Sequence, residues 1–240
     1  DMYLCHSVID YNLIVGKFTG AKCLRIGYPK YDRAPLMKDA RNIIFNDVKN
    51  MDKSKPLILW MPTLIKIKGE IIDNIKIWIP IILKLLNEYN VLIRLHPKTV
   101  VLDPEISNHL SDLGLLVDIK QGRNLKVLYQ AADLVLSDYG GSVLSAVYMK
   151  KKLLLLNSPS KKYIKWREER GYVDDDVRRD VSTFNVSNGM DLIRQVNNDI
   201  KCNDILKRDK LKEKYFGKDC DPSDTKLFFD QLIKNHCPVE

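Results

Sequence analysis

Short apolar runs along the chain alternate with longer amphipathic stretches, and the apolar runs predict buried strands. Strands covered on both faces of a parallel sheet read as continuous apolar segments bounded by turn residues. Such segments are found at 57–61, 91–95, 115–119, 134–136 and 152–156. The stretches between them predict helices at 71–87, 106–113, 124–132 and 142–150. Strands alternating with helices at this spacing predict a parallel, doubly wound sheet at about 55–160.

The regions on either side of this core predict smaller elements. The beginning reads as a β-α-β fragment, with strands at 2–5 and 22–26 around a helix at 11–18. Pro and Gly then predict a linker at 28–36, followed by a helix at 38–49. Within and beyond the core, polar composition predicts loops at 62–69 and 161–185, and the periodicity predicts helices at 190–200, 203–215 and 224–235. The fold class is therefore α/β: a Rossmann-like domain with a parallel sheet flanked by helices, an N-terminal β-α-β remnant and C-terminal helices.

Composition narrows the class of protein. Of 240 residues, 45% are hydrophobic and 29% charged, which is typical of globular proteins. No apolar stretch reaches the roughly 20 residues of a bilayer span before a Lys, Asp or Pro interrupts it. Five cysteines without CxxC spacing indicate neither a disulfide framework nor a zinc site, and they favour a reducing cytosol. The net charge of +8 suits polyanionic partners such as nucleotide phosphates, anionic lipid or nucleic acid.

The first candidate site is the glycine pair after the strand predicted at 134–136. That strand runs through Asp138 and Tyr139 into Gly140 and Gly141, and Ser142 begins the next helix. In open α/β sheets, ligands bind beyond the carboxyl ends of the strands, where a glycine-rich turn offers backbone N–H groups and a helix N-terminus to a phosphate. The alternative is a tight turn without a ligand. The preceding acid favours function, and we predict a phosphate site at 138–142.

The second candidate lies at the end of the strand predicted at 91–95. Alternation along a strand places Arg94 and His96 on the same side, and Pro97 forces the chain out of the strand. His96 is therefore expected at the exposed carboxyl edge of the sheet. There it can protonate a leaving phosphate or stabilise its charge as an imidazolium. The alternative is a histidine satisfied by a backbone carbonyl.

Three weaker candidates also carry groups suited to phosphate. Thr63 and Lys66 follow the strand at 57–61, from which they can reach an anion. The cations at 165–179, with Arg170 foremost, can grip a diphosphate through charge-assisted bonds, although a charge run is usually a solvated face. Thr225 precedes the last predicted helix, where a cap is the first interpretation and a phosphate contact the second.

Together these motifs resemble those of the CDP-glycerol glycerophosphotransferase family, enzymes of teichoic-acid and capsule polymers built on the GT-B plan. Residues 27–32 resemble the family's G-Y-P-R-x-D, and 59–63 its strand ending in A-P-T. Residues 94–97 match R-x-H-P, and Asp138-Tyr139 matches the start of D-Y-S-S. Arg170-Gly171 fits the family's R-G. The resemblance covers about residues 1–230, with R-x-H-P and D-Y as its more specific parts.

The resemblance implies a transferase that moves glycerol phosphate, or a related polyol or sugar phosphate, from a CDP-linked donor to an envelope polymer or lipid-linked acceptor. His96 would be catalytic, assisting the departure of CMP by steadying its phosphate. Neither a metal nor a cofactor is expected, and nucleic acid is not an expected partner. The residues expected to bind the donor are Arg94, Thr63, Asp138, Tyr139, Gly140, Gly141, Ser142, Arg170 and Thr225.

The same resemblance implies a domain plan and a location. Residues 1–27 would end a truncated acceptor domain, 28–54 form a linker and helix, 55–220 form the donor-binding domain, and 221–240 form a C-terminal helix. The family's catalytic base belongs to the missing part, so we name no base, and the chain alone is expected to bind donor without necessarily turning it over. The location implied is the cytoplasm, with peripheral contact to an anionic membrane surface that the positive charge would favour.

The chain departs from the family pattern at several positions. Gly140 and Gly141 replace two serines, which leaves backbone but no hydroxyl contacts to a diphosphate at those positions. Pro222 and Leu227 replace the Gly and Arg of D-G-x-x-S-x-R, and Ser145 replaces a frequent acid. The glycine pair also resembles the D-S-G-G turn of UDP-N-acetylglucosamine 2-epimerases, whose ribose-binding acid is again replaced by Ser145. R-x-H-P favours the transferase, and a non-catalytic nucleotide-binding module is the further alternative.

Overall fold

A computed structural model describes residues 2–17, 20, 22–32, 39–67, 70–72, 74–186, 191–218, 230 and 234. The strands in this part of the chain are β1 (Met2–Cys5), β2 (Lys22–Arg25), β3 (Leu57–Met61), β4 (Ile65–Ile67), β5 (Glu70–Ile72), β6 (Asn90–Ile93), β7 (Leu116–Val117), β8 (Leu134–Ser137), β9 (Leu153–Leu156) and β10 (Ser182–Phe184). The helices are α1 (Val8–Lys17), α2 (Pro29–Asp32), α3 (Ala40–Asp47), α4 (Asn74–Ile82), α5 (Pro97–Leu102), α6 (Ile106–Asp112), α7 (Leu125–Ala131), α8 (Gly141–Tyr148), α9 (Lys161–Glu168), α10 (Val173–Asp180), α11 (Leu192–Lys201) and α12 (Ile205–Phe216).

The chain divides into two compact units. Residues 37–204 form the larger one, and residues 1–36 and 205–240 form the smaller one. The domain limits expected from the family resemblance, with a donor-binding domain at 55–220, stay a prediction. None of the helices described is both long and apolar enough to cross a bilayer.

The larger unit is built on a six-stranded sheet in the order β10-β9-β8-β3-β6-β7, in which all neighbours are parallel. The chain starts at β3, adds β6 and β7 on one side, then returns to the other side of β3 for β8, β9 and β10. The strand order therefore reverses between β3 and β8. In open α/β sheets this switch point leaves a crevice beyond the carboxyl ends of the two strands. The parallel sheet flanked by helices confirms the predicted architecture.

Both faces of the sheet are covered, which explains why its strands read as uninterrupted apolar runs. Every residue of β3, β6, β8 and β9 is buried. Alternate side chains such as Ile58 and Trp60 join a core cluster with Trp78 of α4 and Val196 of α11. Burial on both sides favours Leu, Ile and Val at successive positions. The sequence pattern consequently located these strands well.

Two regions differ from the prediction around the first crossover. The loop predicted at 62–69 is wrong over 65–67, because β4 pairs there with β5 as an antiparallel hairpin, with Ile65 opposite Ile72. The helix predicted at 71–87 begins only at Asn74, and its last part, Leu83–Asn87, is a 3-10 helix. Alternation over only three residues gives too short a signal to predict such a hairpin. Pro80 lies inside α4 with its side chain exposed.

The polar loop predicted at 161–185 is also wrong, since α9, α10 and β10 occupy it. These helices bury only a few apolar side chains, including Tyr163, Val173 and Val177. Arg167 and Asp174 are buried too and form an ion pair with one another. Charged residues satisfied inside the structure look, in the sequence, like a solvated loop. Helix α5 was likewise not predicted.

The smaller unit contains the predicted β-α-β fragment, with β1 and β2 parallel and Tyr3 opposite Cys23. The motif at 27–29 packs within this unit: Tyr28 is buried, stacks on the ring of His6 at 4.8 Å and contacts Phe216 of α12. His6 Nδ1 also lies 2.8 Å from the carbonyl oxygen of Gly27. Most of the helix predicted at 224–235 lies outside the described residues.

Candidate active site

The glycine pair forms a sharp corner between β8 and α8. Gly140 precedes the helix with φ +82° and ψ −156°, a conformation that is essentially restricted to glycine. Gly141 is the first residue of α8 and is exposed, and apart from its chain neighbours and the backbone of its own helix no atom lies within 4 Å of the point where a Cβ would stand. At Gly140 the corresponding point is 3.4 Å from Thr63 Oγ1. Gly140 therefore makes the turn, whereas Gly141 faces open space.

Asp138 is a buried carboxylate that ties three elements together at this corner. It accepts hydrogen bonds from the backbone N–H of Thr63 at 2.8 Å, from the N–H of Tyr139 at 2.7 Å, and from the side-chain amide of Asn74. Burial raises the pKa of Asp138 to about 6, although these hydrogen bonds and the nearby Arg178 act in the opposite direction. Asp138 thus holds the loop after β3 against the loop after β8 and does not itself reach the surface.

The hydroxyl groups of the corner are engaged within the protein. Thr63 Oγ1 donates to the carbonyl of Tyr139 at 2.8 Å, and Ser142 Oγ lies 2.7 Å from Ser137 Oγ. The phenol oxygen of Tyr139 accepts the N–H of Ser158 at 3.0 Å. The first N–H groups of a helix have no partner inside it, and those of Gly141 and Ser142 begin α8. These backbone groups, rather than the side chains, are what the corner offers to an anion.

One N–H of the corner is already satisfied by an acidic residue that is not among the predicted site residues. Gly140 N–H donates to Asp174 Oδ2 at 2.9 Å, and the same oxygen accepts from Arg167 Nη2 at 2.6 Å. The acidic run at 174–176 was visible in the sequence, but its contact with the corner depends on the fold of α10. A phosphate approaching the corner therefore meets the side of Gly141 and not the N–H of Gly140.

His96 lies at the exposed carboxyl edge of β6, as predicted, and caps the N-terminus of α5. Its Nδ1 accepts the N–H of Lys98 at 3.2 Å. Partial desolvation, followed by the positive charge of Lys98, lowers the pKa of His96 from its ordinary value. The ring is therefore mainly neutral at pH 7. Because Nδ1 is the acceptor, the proton of the neutral ring belongs on Nε2, which can donate to a ligand.

Arg94 is held between β6 and β7. Its Nη1 donates to the carbonyl of Asp118 at 3.0 Å, to Asp118 Oδ2 at 3.0 Å and to the carbonyl of Lys120 at 2.9 Å. Asp118 is buried and also pairs with Arg123 at 2.7 Å. Arg94 lines one wall of a cavity of about 430 Å³ whose lining includes Pro97 and Ile119. Its geometry is that of a residue shaping the cavity wall.

The two remaining predicted site residues are Arg170 and Thr225. Arg170 is exposed, and its guanidinium lies 4.4 Å above the ring of Trp166 while Nη1 donates to the Trp166 carbonyl at 3.0 Å. It also lies 3.7 Å from the carboxylate of Glu169. Thr225 lies outside the described residues. In the part of the chain that is described, no three His, Cys, Asp or Glu side chains are grouped to hold a metal ion.

The strand order brings the main candidates to one rim of the sheet. Thr63 follows β3, His96 follows β6 and Gly140 follows β8, and β3 lies between the other two strands. All three strands are parallel, so their carboxyl ends share an edge. Neighbouring strands are about 4.8 Å apart, which separates β6 from β8 by about 10 Å. An extended diphosphate ligand can span this distance.

Solved structures with the same fold include the wall teichoic acid polymerase TagF. The two chains share 18% identity with a TM-score of 0.59, over 97% of this chain and 57% of that one. A TagF variant soaked with CDPG gives a TM-score of 0.66 at 16% identity, over 97% and 57% of the chains. The N-terminal domain of Candida albicans trehalose-6-phosphate phosphatase gives 0.50 at 12% identity, over 98% and 58%. The chain thus spans less than three fifths of these proteins, and no curated protein matches it in sequence.

The sheet order and these structural neighbours define the class of the larger unit, a Rossmann-like domain of the GT-B type. The family model described as CDP-Glycerol:Poly(glycerophosphate) glycerophosphotransferase matches residues 4–223. The chain belongs to this family, which confirms the resemblance seen in its motifs.

Proposed function

We propose that the chain is the donor-binding part of a transferase that moves glycerol phosphate, or a related polyol or sugar phosphate, from a CDP-activated donor to an envelope polymer such as teichoic acid or capsule. The observation that carries this proposal is the place of the open glycine corner at the switch point between β3 and β8. Ligands of open α/β sheets bind at this place. Family membership supports the choice of donor.

In this proposal the donor lies along the carboxyl rim of the sheet. Its diphosphate meets the N–H groups of Gly141 and Ser142 at the start of α8, where the helix dipole favours negative charge. Its nucleoside occupies the cavity beside Arg94, whose volume of about 430 Å³ falls in the usual range for small-molecule sites. Leu95 and Ile119 give that cavity an apolar lining suited to a flat base.

His96 is proposed to act between these two places. When the acceptor hydroxyl attacks the phosphorus of the glycerol phosphate, it releases its proton to solvent, the bond between that phosphorus and the bridging oxygen breaks, and CMP leaves with the electron pair. The neutral ring of His96 carries its free proton on Nε2 and can donate to the phosphate oxygen on which charge develops. A donor aimed at developing charge lowers the barrier more than it strengthens ground-state binding.

The remaining candidate residues are proposed to support this arrangement. Asp138 and Tyr139 hold the corner from within, and Arg94 shapes the cavity wall. Direct contacts of Arg170 and Thr225 with the donor stay predictions. The acceptor is proposed to be an envelope polymer or a lipid-linked primer, reached at the inner face of the membrane.

Calorimetric titration of the chain with CDP-glycerol, CMP, UDP and UDP-N-acetylglucosamine tests the proposal. We expect the cytidine compounds to bind and the uridine compounds to bind at least about tenfold more weakly. Gly141→Asp places a carboxylate where the diphosphate is proposed, and it should weaken CDP-glycerol binding about tenfold or more. Gly141→Ala is the matched control, because it adds a Cβ in the same open space without charge.

Two outcomes would contradict the proposal. Tight UDP binding without a response to CDP-glycerol would favour a protein similar to the UDP-N-acetylglucosamine 2-epimerases. Equal effects of Gly141→Asp and Gly141→Ala would show that no anion binds at this corner. His96→Ala is expected to weaken CDP-glycerol binding only modestly, since its proposed role belongs to the reacting state.

A further inference from the structure

A second cavity, of about 310 Å³, lies among α9, α10 and the segments that follow β8 and β9. Tyr139 and Asn157 line it together with Arg167, Arg178 and Arg179. The carboxylates in its lining belong to Glu168 and Asp175, and Asp174 and Asp176 pair with Arg167 and Arg179 from outside the lining. Its volume is at the lower end of the range for small-molecule sites. The donor position proposed above does not extend into this cavity, although Tyr139, which holds the glycine corner from within, also forms part of its wall.

The guanidinium of Arg167 donates its hydrogen bonds to side chains inside the protein. Its Nε donates to the two oxygens of Asp175 at 2.9 and 3.1 Å, and its Nη2 donates to Asp174 at 2.6 Å. Its Nη1 donates to the phenol oxygen of Tyr163 at 3.1 Å. Two acids therefore neutralise this guanidinium and hold it in place. Arg167 is a structural residue of the cavity wall.

Arg178 differs from Arg167 in its hydrogen bonding. Its guanidinium lies 3.8 Å above the ring of Tyr139, and its Nη1 donates to the side chain of Asn157. Its Nε and Nη2 are both buried without a hydrogen-bond partner among the described residues. The carboxylate paired with it, that of Asp175, is 3.9 Å from Nε, which is beyond hydrogen-bond distance. That same oxygen already accepts a hydrogen bond from Arg167.

A buried charged donor without an acceptor is costly, and proteins rarely keep one without a reason. The two unsatisfied groups lie on one edge of a planar guanidinium, spaced to meet two oxygens of the same phosphate. We infer that this cavity binds the phosphate group of a small phosphorylated compound through Arg178. Arg179 also lines the cavity, but its charge is paired with the carboxylate of Asp176 at 2.9 Å, so the inferred contact rests on Arg178.

The inferred contact requires a small rearrangement of Arg178. Its side chain lines the cavity, but the two unsatisfied nitrogens are buried beneath the cavity surface. The inference therefore includes a turn about the terminal torsions of the side chain that would bring them to that surface. The turn exchanges a single neutral acceptor, Asn157, for an anion that accepts two charge-assisted bonds, which are stronger.

Titration followed by NMR tests the inference directly through the Nε–H resonance of Arg178, assigned by its loss in Arg178→Lys. The ligands are inorganic phosphate and glycerol 3-phosphate. We expect a saturable shift of this resonance with a Kd on the order of 1 mM. A larger affinity for glycerol 3-phosphate would indicate a phosphate ester as the natural ligand, whereas equal affinities would indicate free phosphate.

Two variants test the site from different sides. Arg178→Lys keeps the charge but loses the paired N–H edge, and Ile164→Trp fills the cavity from another lining position, 38% exposed, while Arg178 is retained. Both should weaken phosphate binding about tenfold or more, as read from shifts of backbone resonances around the cavity. Arg194→Gln, which removes an exposed arginine of α11 outside the cavity, should leave the affinity unchanged.

The inference would be overturned by the absence of any saturable shift, or by affinities in both variants equal to that of the wild type. Phosphate binding that is lost in Gly141→Asp and kept in Arg178→Lys would also overturn it, because the phosphate would then belong to the glycine corner. The proposed transferase function is decided separately by CDP-glycerol, so either hypothesis can fail without the other.

Discussion

The two adjacent glycines have different physical roles although the sequence presents them as a pair. Gly140 adopts a backbone conformation that other residues avoid, whereas Gly141 begins a helix in ordinary geometry. Gly140 therefore belongs to the scaffold of the corner. Gly141 belongs to the surface that a ligand meets.

This difference predicts opposite effects of alanine at the two positions. Gly140→Ala should lower the free energy of unfolding by about 1–3 kcal/mol, because the positive φ strains any residue with a Cβ. The contact with Thr63 Oγ1 at 3.4 Å is an ordinary one and adds little. Gly141→Ala should cost nothing or stabilise α8 slightly. Urea unfolding of the two variants measures both, and equal losses would contradict the assignment.

His96 predicts a pH dependence with a defined sign. Its pKa in the folded protein is lower than the ordinary value of about 6.5. The unfolded state then binds the proton more readily, so the contribution of the neutral ring to stability is present above pH 6.5 and is lost as pH falls through the folded pKa. Protonation of Nδ1 also removes the acceptor that caps α5.

NMR titration of the ring should give a pKa below 6.5, and unfolding free energies should show its consequence. His96→Asn retains a capping oxygen but does not titrate, and it serves as the reference. Wild type and variant should differ by a constant amount above pH 7, and the wild type should lose stability relative to the variant at lower pH. A measured pKa above 6.5 would contradict this account of the site.

Helices α9 and α10 show how buried charge can organise elements of low hydrophobicity. Arg167 on α9 connects to Asp174 and Asp175 on α10, and Asp174 continues to the backbone of Gly140. The side chains of Arg167 and Asp174 are 6% and 7% exposed. The network thus joins both helices to the glycine corner.

Removal of Arg167 should lower the free energy of unfolding more than removal of an arginine from an ordinary surface ion pair. Arg167→Met leaves the buried carboxylate of Asp174 without its cation and should lower the free energy of unfolding by about 3–5 kcal/mol. Arg179→Met removes a pair with Asp176 whose side chains are 78% and 42% exposed, and it should cost less than about 1 kcal/mol. Similar losses in both variants, measured by urea unfolding, would argue against a structural role for the network.

The elements that could be predicted are those whose stability comes from apolar burial. β3, β6, β8 and β9 were found because each is a continuous apolar run ended by turn residues. The hairpin of β4 and β5 was missed, since two strands of three residues leave almost no periodic signal. For α10, Val173 and Val177 are four residues apart and both buried, a helical spacing that the intervening acids obscured. Helix α9 depends on the ion pairs of Arg167, which no linear pattern records.

At the scale of the whole molecule, the larger unit contains everything that its core requires. All six strands of the main sheet and the buried residues of its principal cluster fall between residues 37 and 204. We therefore expect residues 37–204, expressed alone, to fold with an α/β circular dichroism spectrum and one cooperative urea transition. A fragment that binds a hydrophobic dye and shows no transition would contradict this expectation.

The location of the candidate site could be predicted from the sequence, but the hydrogen-bond partners of its residues could not. Gly-Gly after one strand and R-x-H-P after another indicated the carboxyl rim, and the strand order confirms that β6 and β8 flank β3. The sequence did not indicate which groups remain available to a ligand, because this depends on hydrogen bonds to residues far away along the chain. Asp138 is enclosed by donors from Thr63 and Asn74, and Gly140 N–H is satisfied by Asp174.

The central position of β3 also has a consequence for how the protein is made. During synthesis β3 can pair early with β6, but its other edge waits for β8, since Ile58 must find Leu134. Until then a fully apolar strand presents unpaired backbone groups to the surroundings, a template for association with other nascent chains. Such distant pairing also slows folding. We expect yield in a cell to depend on chaperones that shield this edge while the second half of the sheet emerges from the ribosome.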